Sequence, residues 1–341
     1  MKRILLAFFM TLSAICVSLS ASAATTLRVA TWLPPTHPMN AEALPTWAKW
    51  VEEATEGRVV VKLEYDLGHP KSYFDLVEDG VVDAGWSLHG YVPGRFVSTE
   101  LAEQPAINAD AEASSVAYWR VNEKYLAEAE EHDGLELLAL FTNGPSVLHL
   151  REAVNTIDDL KGLKIRAPGG IAAAVGEELD VTNVNAPAPK IYEMLQQGVV
   201  DGVFIALLDQ KALRLNEVTT QVIDYPGGLF RGSFSVFMNE DFMYEISKKD
   251  RDAIASVSGE KLSAMIGRVW SKADSVGLAA AEERNVDYVK LAADSIMAKD
   301  ISSRIAGVSD EWVERADDKG FDAKAALTEY RQIAESYQSE L

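Results

Sequence analysis

The first 23 residues constrain the rest of this chain most, because they predict which part of it folds and on which side of the membrane. Lys2 and Arg3 form a positive start, residues 4–17 are an almost unbroken apolar run, and residues 21–23 are Ala-Ser-Ala. This order is typical of a secretory signal peptide with a small-residue cleavage site. The alternatives are an uncleaved anchor and an interfacial helix, but the apolar run is too short for a stable membrane span and the Ala-Ser-Ala site lies where cleavage is expected. We expect cleavage after Ala23 and export of the remainder.

Cleavage would leave a chain without cysteine, because Cys16 is the only one. An exported protein without thiols cannot use disulfides, so its stability has to come from a hydrophobic core. The remaining 318 of the 341 residues are enough to bury such a core, and an apolar fraction of 48% is typical of an ordered globular chain. A chain of this length favours a division into two lobes.

The net charge limits the partners of the chain. It is formally −20, and about −22 without the two basic residues of the signal peptide. Such a field repels nucleic acid and anionic lipid, so we expect no nucleic-acid partner. An anionic ligand would need a local cluster of hydrogen-bond donors inside a cleft that is shielded from this field.

Strand and helix patterns alternate along the chain in two cycles. The predicted strands are 27–33, 58–66, 82–86, 135–141 and 146–150 in the first cycle, and 163–167, 181–185, 200–206 and 231–239 in the second. The predicted helices are 39–56, 71–79, 111–132, 170–179 and 189–197, followed by a helical pattern from residue 247 nearly to the end. The alternation predicts an α/β fold.

The two cycles predict two α/β lobes that share the chain between them. We assign residues 24–147, with part of 232–341, to lobe I and residues 148–231 to lobe II. Residues 240–341 are mostly helical and are expected to pack on both lobes. No Pro- or Ser-rich linker separates the lobes, so the crossings are expected to be strands, near residues 141–150 and 228–238.

Motifs of catalysis are missing from the sequence. It has no glycine-rich phosphate loop, no H-E-x-x-H, no G-x-S-x-G, and its five histidines lack metal-ligand spacing. We therefore expect no cofactor, no metal and no enzymatic activity. Two alternatives of other classes are an exported enzyme that uses a pair of carboxylates in a cleft and a structural protein of the cell envelope.

Four segments of the chain match one family in order. Residues 156–168, TIDDLKGLKIRAP, resemble the DLKGLKIRVP signature of the solute-binding proteins of TRAP transporters, the DctP family. Residues 192–202, YEMLQQGVVDG, are similar to another signature of that family. Upstream, WVEEATEGRV at 50–59 and DGVVDAG at 79–85 resemble two further family patterns. The match extends over essentially the whole mature chain.

This resemblance implies a periplasmic receptor with the two-lobe fold of periplasmic binding proteins, and we expect it to be a monomer. Its lobes would close on a small organic acid and deliver it to a permease of one large and one small membrane subunit, driven by an ion gradient. The resemblance also implies that Arg166, in the KIR of the signature, makes a two-pronged contact with the ligand carboxylate. A guanidinium offers paired donors that match a carboxylate, although Arg166 in an ordinary surface ion pair is the alternative.

The class of ligand is suggested by departures from the family pattern. Residues 203–206, Val-Phe-Ile-Ala, replace a polar Glu-Asn pair, and residues 186–190, Ala-Pro-Ala-Pro-Lys, are small and stiff. An apolar wall disfavours a ligand with many hydroxyls, so we expect an apolar or aromatic monocarboxylate. Phe204 would be part of this wall or plain core. The alternative ligand is a dicarboxylate or a sulfonate, for which Arg231 would be a second anion clamp.

Other candidate wall residues lie in loops at strand ends, where open α/β folds place their sites. They are Trp32 and His37 after the first strand, Trp86, Ser87, His89 and Tyr91 after the third, Asn143 and His149 at the first crossing, and Phe230 and Arg231 near the second. The aromatic members could enclose a ligand ring, and each is equally consistent with packing. The resemblance favours a polar ligand contact for His149, and a hinge ion pair is the alternative for Arg231.

Overall fold

The computed structural model describes residues 24–341, and the predicted signal peptide lies outside the described residues. None of the described helices is both long and apolar enough to cross a membrane. The strands are β1 (Thr25–Thr31), β2 (Val59–Tyr65), β3 (Ala84–Leu88), β4 (Leu135–Thr142), β5 (Ser146–Leu150), β6 (Lys164–Ala167), β7 (Thr182–Asn185), β8 (Gly202–Ala206), β9 (Gln221–Asp224), β10 (Ser233–Asn239) and β11 (Asp287–Lys290).

The strands form two sheets. The first has the order β2-β1-β3-β10-β4, in which β10 runs antiparallel to both of its neighbours. The second has the order β11-β9-β5-β8-β6-β7, in which β5 runs antiparallel to β8 and β9. The remaining neighbours in both sheets are parallel. The predicted α/β class is confirmed.

The central strands are buried along their whole length. Every residue of β3, β8 and β10 is buried, and their sequences AGWSL, GVFIA and SFSVFMN contain only apolar, small or amide side chains. Near-continuous runs of this kind are typical of strands that are covered on both faces. The two faces of β8 lie in different hydrophobic cores: Val203 and Ile205 pack with the first sheet, whereas Phe204 packs with the helices behind the second.

The helices surround the sheets. They are α1 (Leu44–Ala54), α2 (Tyr73–Glu78), α3 (Ala111–Lys124), α4 (Gly170–Glu178), α5 (Ile191–Gln196), α6 (Asp209–Ala212), α7 (Glu240–Glu245), α8 (Lys248–Ser256), α9 (Glu260–Glu283), α10 (Ile296–Arg304), α11 (Val308–Asp317) and α12 (Ala323–Glu340). The C-terminal helix α12 packs on α3, and Trp312 and Tyr330 are buried in the core that also contains Phe204.

The chain passes between the sheets at three places. The segments 143–145 and 225–232 connect β4 to β5 and β9 to β10, and the long helix α9 is a third connection. It contacts α3 and β4 on one side and α6 and β11 on the other. Two glycines allow these close approaches, because a Cβ at Gly267 would clash with the backbone of α3 and one at Gly277 with the backbone at Leu207.

Two local predictions are wrong. The predicted helix 39–56 begins as a π-helical turn, Met39–Ala43, and becomes α-helical only at α1. Pro45 explains the change, because it has no N–H to donate to the carbonyl four residues earlier. The predicted helical tail also contains β11, which pairs with the unpredicted strand β9. These strands have four residues each, too few for a periodic pattern to separate strand from helix.

Candidate functional site

A cavity lies between the two sheets, beside the crossing segments. It has about 490 Å³ of empty space, a volume that includes the open solvent at its mouth. Its polar lining residues are His37, Tyr91, Asn143, Arg166 and Asp209. Its apolar lining residues are Trp32, Leu33, Leu88, Pro168, Ala188, Phe204, Ile205, Ala206, Leu208, Phe230, Gly232, Phe234 and Trp270. The lining is therefore mostly apolar and aromatic, with a few polar groups.

Arg166 is the cationic group of this cavity. It lies on β6 at a buried position, whereas Lys164 of the same strand faces solvent. Its Nε donates to the carbonyl of Ala186 at 2.8 Å, and its Nη1 donates to the carbonyl of Phe204 at 3.3 Å. Only 2% of the residue is exposed, and burial lowers the pKa of the guanidinium. Among residues 24–341 no carboxylate forms an ion pair with it, so its charge lacks a protein counter-ion.

Tyr91 connects the two lobes beside this guanidinium. The backbone N–H of Ala188 donates to its hydroxyl at 2.8 Å, which joins the turn after β3 to the segment before α5. Burial raises the pKa of the Tyr91 phenol, and the neighbouring charge of Arg166 partly offsets the rise. Trp32 meets the Tyr91 ring edge-on, with centroids 5.5 Å apart. The end of the cavity that holds the guanidinium is therefore next to aromatic surface.

The aromatic wall is held by stacking and by hydrogen bonds behind it. Trp32 stacks on Trp86 with centroids 4.5 Å apart, and its Nε1 donates to the Trp86 carbonyl at 3.0 Å. Trp270 of α9 meets Phe234 of β10 edge-on, with centroids 5.0 Å apart. Neither Trp270 nor Phe234 was a candidate from the sequence. These contacts give rigid aromatic faces to the cavity.

Asp209 and His37 are the remaining titratable groups of the lining. Asp209 begins α6 and is 6% exposed. Burial raises the pKa of its carboxyl to about 8, with a contribution from Asp274 and an opposing one from Arg166. The Nδ1 of His37 accepts from the N–H of Met39 at 3.1 Å, and burial lowers the pKa of His37 to about 3. Burial therefore disfavours the charged form of both groups, and Arg166 is the arginine of the lining.

Seven of the twelve predicted site residues line this cavity. They are Trp32, His37, Tyr91, Asn143, Arg166, Phe204 and Phe230. The amide oxygen of Asn143 accepts from the N–H of Gly232 at 2.6 Å, which joins the two crossing segments. Phe204 contributes its carbonyl to Arg166, while its ring packs edge-on against Phe230 in the core, with centroids 6.2 Å apart.

Three other predicted residues lie outside the lining for reasons of strand geometry. Trp86 is behind Trp32, where its Nε1 donates to Thr31 Oγ1 at 2.9 Å. Ser87 follows it on the opposite face of β3. His149 lies inside the second sheet, where its Nδ1 accepts from Gln210 Nε2 at 2.7 Å and its Nε2 is 3.3 Å from the Ile205 carbonyl. Burial lowers the pKa of His149 to about 4.

Arg231 also lies outside the lining, where it holds the crossing segments together. Its Nη2 donates to the carbonyls of Ile107, at 2.8 Å, and of Ala109, and its Nη1 donates to the Asn143 carbonyl at 3.4 Å. The side chain is fully buried. In the described part of the chain these carbonyls, and no carboxylate, are its partners, so the geometry is neither the expected anion clamp nor a hinge ion pair. His89 is likewise buried away from the cavity, 2.9 Å from His132.

Three comparisons with known proteins agree with this architecture. Residues 29–298 match the family model described as bacterial extracellular solute-binding protein, family 7, DctP. The chain is 30% identical over 310 residues to the protein named outer membrane transporter protein TsaT from Comamonas testosteroni. That alignment covers 90% of each chain.

Two solved structures share the fold closely. A TRAP periplasmic solute-binding protein from Bordetella bronchiseptica, with bound (R)- and (S)-mandelate, has a TM-score of 0.89 and 34% identity. The likeness covers 92% of this chain and 99% of that one. A TRAP solute-binding protein from Rhodoferax ferrireducens, with co-purified benzoate, has a TM-score of 0.86 and 28% identity, over 93% of this chain and 99% of that one.

Proposed function

The chain belongs to the bacterial extracellular solute-binding proteins of family 7, the DctP family, and from that premise we propose that its cavity holds an aromatic monocarboxylate. As a member of this family it is a periplasmic receptor for a small organic acid, which it delivers to the two membrane subunits of a TRAP permease.

The observation that carries the proposal is the buried charge of Arg166 without a protein counter-ion. A buried cation is costly unless it is paired and hydrogen-bonded. Two backbone carbonyls hold the guanidinium in place, and it borders the cavity. A ligand carboxylate that accepts from this guanidinium would supply the missing counter-ion with charge-assisted hydrogen bonds. Because Arg231 is bonded to carbonyls outside the lining, a second clamp for a dicarboxylate has no support.

The rest of the lining favours an aromatic body on this carboxylate. Trp32, Tyr91, Phe234 and Trp270 offer ring faces and edges, and burying one phenyl group stabilises a complex by about 1.5–3 kcal/mol. A sugar acid would bring several hydroxyls to this apolar wall, and each unpaired one costs about 1–3 kcal/mol. The structural relatives with bound mandelate and benzoate support the same class of ligand.

Ligand binding is proposed to bring two lobes together. The lobes are residues 24–147, with part of 232–341, and residues 148–231, while residues 240–341 pack on both. The changes of sheet at 143–145 and 225–232 support these boundaries. The short crossings would act as the hinge.

We also propose that the protein is exported and that it does not convert its ligand chemically. Residues 1–23 would be cleaved as a signal peptide, which agrees with the periplasmic location of the family. The mature protein would act as a monomer that releases its ligand unchanged.

A thermal-shift experiment tests the proposed function. Benzoate, mandelate, an aryl sulfonate, succinate and sialic acid are each added to the mature protein, and the ligands are recovered afterwards. Because ligand that binds only the native state raises the Tm by mass action, we expect the aromatic carboxylates to give the largest shifts. A larger shift with succinate or sialic acid contradicts the proposed ligand class. Chemical conversion of any ligand contradicts the receptor function.

A further inference from the structure

Asp209 has an unusual environment for a buried carboxyl. It lines the cavity, it is only 6% exposed, and its carboxyl oxygens accept no hydrogen bond from residues 24–341. Two other acidic side chains are satisfied by the protein itself: Glu103 accepts from Ser233 Oγ at 2.7 Å, and Asp274 accepts from the N–H of Leu208 at 2.8 Å. Buried polar groups in native proteins almost always have a partner, so the partner of Asp209 is expected in the cavity.

The charges around Asp209 restrict what this partner is. The ligand carboxylate is assigned to Arg166, and Asp209 is close enough to Arg166 for its pKa to respond to the guanidinium. Among the described residues Arg166 is the only arginine or lysine of the lining, so a second anionic group on the ligand would lack a cationic partner. Burial favours the protonated form of the Asp209 carboxyl, and that form both donates an O–H and accepts at its carbonyl oxygen. The complementary neutral group is a hydroxyl, which also donates and accepts.

We propose that Asp209 makes this receptor selective for aromatic acids that carry a hydroxyl group, by a hydrogen bond between that hydroxyl and its carboxyl. The inference rests on the proposed function and narrows the ligand class. It treats Asp209 as a specificity-determining residue that contacts the ligand, while Arg166 supplies the affinity for the carboxylate. The ligand can carry this hydroxyl at one of two positions, on the carbon next to the carboxylate or on the ring.

Matched ligand pairs test the selectivity in the wild-type protein. Calorimetry at pH 7 compares mandelate with phenylacetate, which differ in the hydroxyl next to the carboxylate, and 3-hydroxybenzoate with benzoate, which differ in the ring hydroxyl. In at least one pair the hydroxylated acid is expected to bind at least about tenfold more tightly than its partner. The acid without the hydroxyl would leave the carboxyl of Asp209 buried without a hydrogen-bond partner. The pair with the tenfold difference in Kd identifies the position of the hydroxyl on the ligand.

Two variants of Asp209 separate selectivity from folding. In Asp209→Leu the side chain keeps its approximate size, and the preference for the hydroxylated acid should fall below about threefold while the other acid binds at least as well as before. Asp209→Asn keeps a donor and an acceptor, so most of the preference should persist. Circular dichroism and the Tm report whether each variant folds, and the wild-type ligand pairs do not depend on either variant.

The outcomes distinguish this inference from the proposed function. If the two acids of each pair bind with the same Kd, the proposed role of Asp209 is wrong. The proposed function as a receptor for an aromatic monocarboxylate is not contradicted by that result. A preference that is unchanged in folded Asp209→Leu also overturns it. Failure of all four aromatic acids to bind the wild-type protein overturns the proposed function itself.

Discussion

Arg166 and Asp209 line the same cavity without forming an ion pair, although both side chains are more than nine-tenths buried. The structure thus keeps a guanidinium available for an anion beside a carboxyl that burial makes hard to ionise. A direct pair between them would cancel the charge that a ligand carboxylate needs. The lining therefore combines one guanidinium with a carboxyl whose charged form is disfavoured by burial, which suits a monoanion.

Replacing Arg166 should abolish most of the affinity. Loss of one partner of a desolvated, hydrogen-bonded charge pair costs about 2–5 kcal/mol, so Arg166→Ala should raise the Kd for an aromatic acid at least about thirtyfold. Arg166→Lys should recover only part of this, since an ammonium lacks the planar fork. Calorimetry measures both, with Lys164→Ala on the exposed face of the same strand as the control. Binding by Arg166→Ala within threefold of wild type would show that the anion is held elsewhere.

The affinity for an anionic ligand should fall at alkaline pH. Burial raises the pKa of Asp209 to about 8, and a bound anion would raise it further, so binding favours the protonated form. As pH rises through 8, Asp209 loses this proton in the free protein and the affinity should drop, by up to about tenfold per pH unit. Calorimetry between pH 6.5 and 9 measures the effect.

The neighbours of Asp209 define the controls for this pH dependence. Asp274, Arg166 and Tyr91 interact with its charge, and burial raises the pKa of Asp274 to about 7. Asp209→Asn should flatten the profile, whereas Asp274→Asn should keep the fall but move it to lower pH, because the charge of Asp274 contributes to the raised pKa of Asp209. A profile that is equally steep in folded Asp209→Asn would assign the proton to another group.

The stability of the ligand-free protein should decrease between pH 6.5 and 8. Glu103 accepts from Ser233 Oγ and from the N–H of Ile171, and burial raises its pKa to about 8. The folded state therefore holds a proton that the unfolded chain has released above about pH 5, so stability is lost as pH rises toward 8. Each such group contributes about 1 kcal/mol per pH unit. Urea unfolding measures the slope, and Glu103→Gln should reduce it; an unchanged slope would exclude Glu103 as a cause.

His149 should matter for stability and not for ligand affinity. Its ring is buried, accepts from Gln210 and contacts the Ile205 carbonyl, away from the cavity. His149→Leu would remove both of these contacts and should cost about 1–3 kcal/mol of unfolding free energy, although Gln210 Nε2 would keep its hydrogen bond to Thr219 Oγ1. The Kd for an aromatic acid should stay within threefold of wild type. A tenfold weaker Kd with an unchanged free energy of unfolding would place His149 in the ligand site.

Local sequence patterns predicted those cavity residues that lie at the ends of strands or directly after them. Arg166 follows from a motif, and Trp32, Tyr91 and Asn143 follow from the rule that sites lie beyond the ends of strands in open α/β folds. Strand alternation already separates Trp86 from Ser87, since neighbouring residues of a strand face opposite sides. Because of this alternation, Trp86 and Ser87 could not both have lined the cavity.

The remaining lining residues depend on packing that no local pattern shows. Trp270 reaches the cavity because α9 passes between the lobes, which its helical periodicity does not reveal. Phe234 lies in a predicted strand, but its direction depends on the register of β10 with β3 and β4. Asp209 is one of 52 acidic residues, and only its buried position in the cavity lining of the folded protein distinguishes it from the others.

One calorimetric comparison tests most directly whether the cavity holds an aromatic monocarboxylate. Benzoate has both a ring and a carboxylate, benzyl alcohol has the ring without the charge, and succinate has two carboxylates without a ring. Because Arg166 and the aromatic wall each contribute, benzoate should bind the wild-type protein at least about tenfold more tightly than either of the others. Succinate binding as tightly as benzoate, or more tightly, would contradict this account.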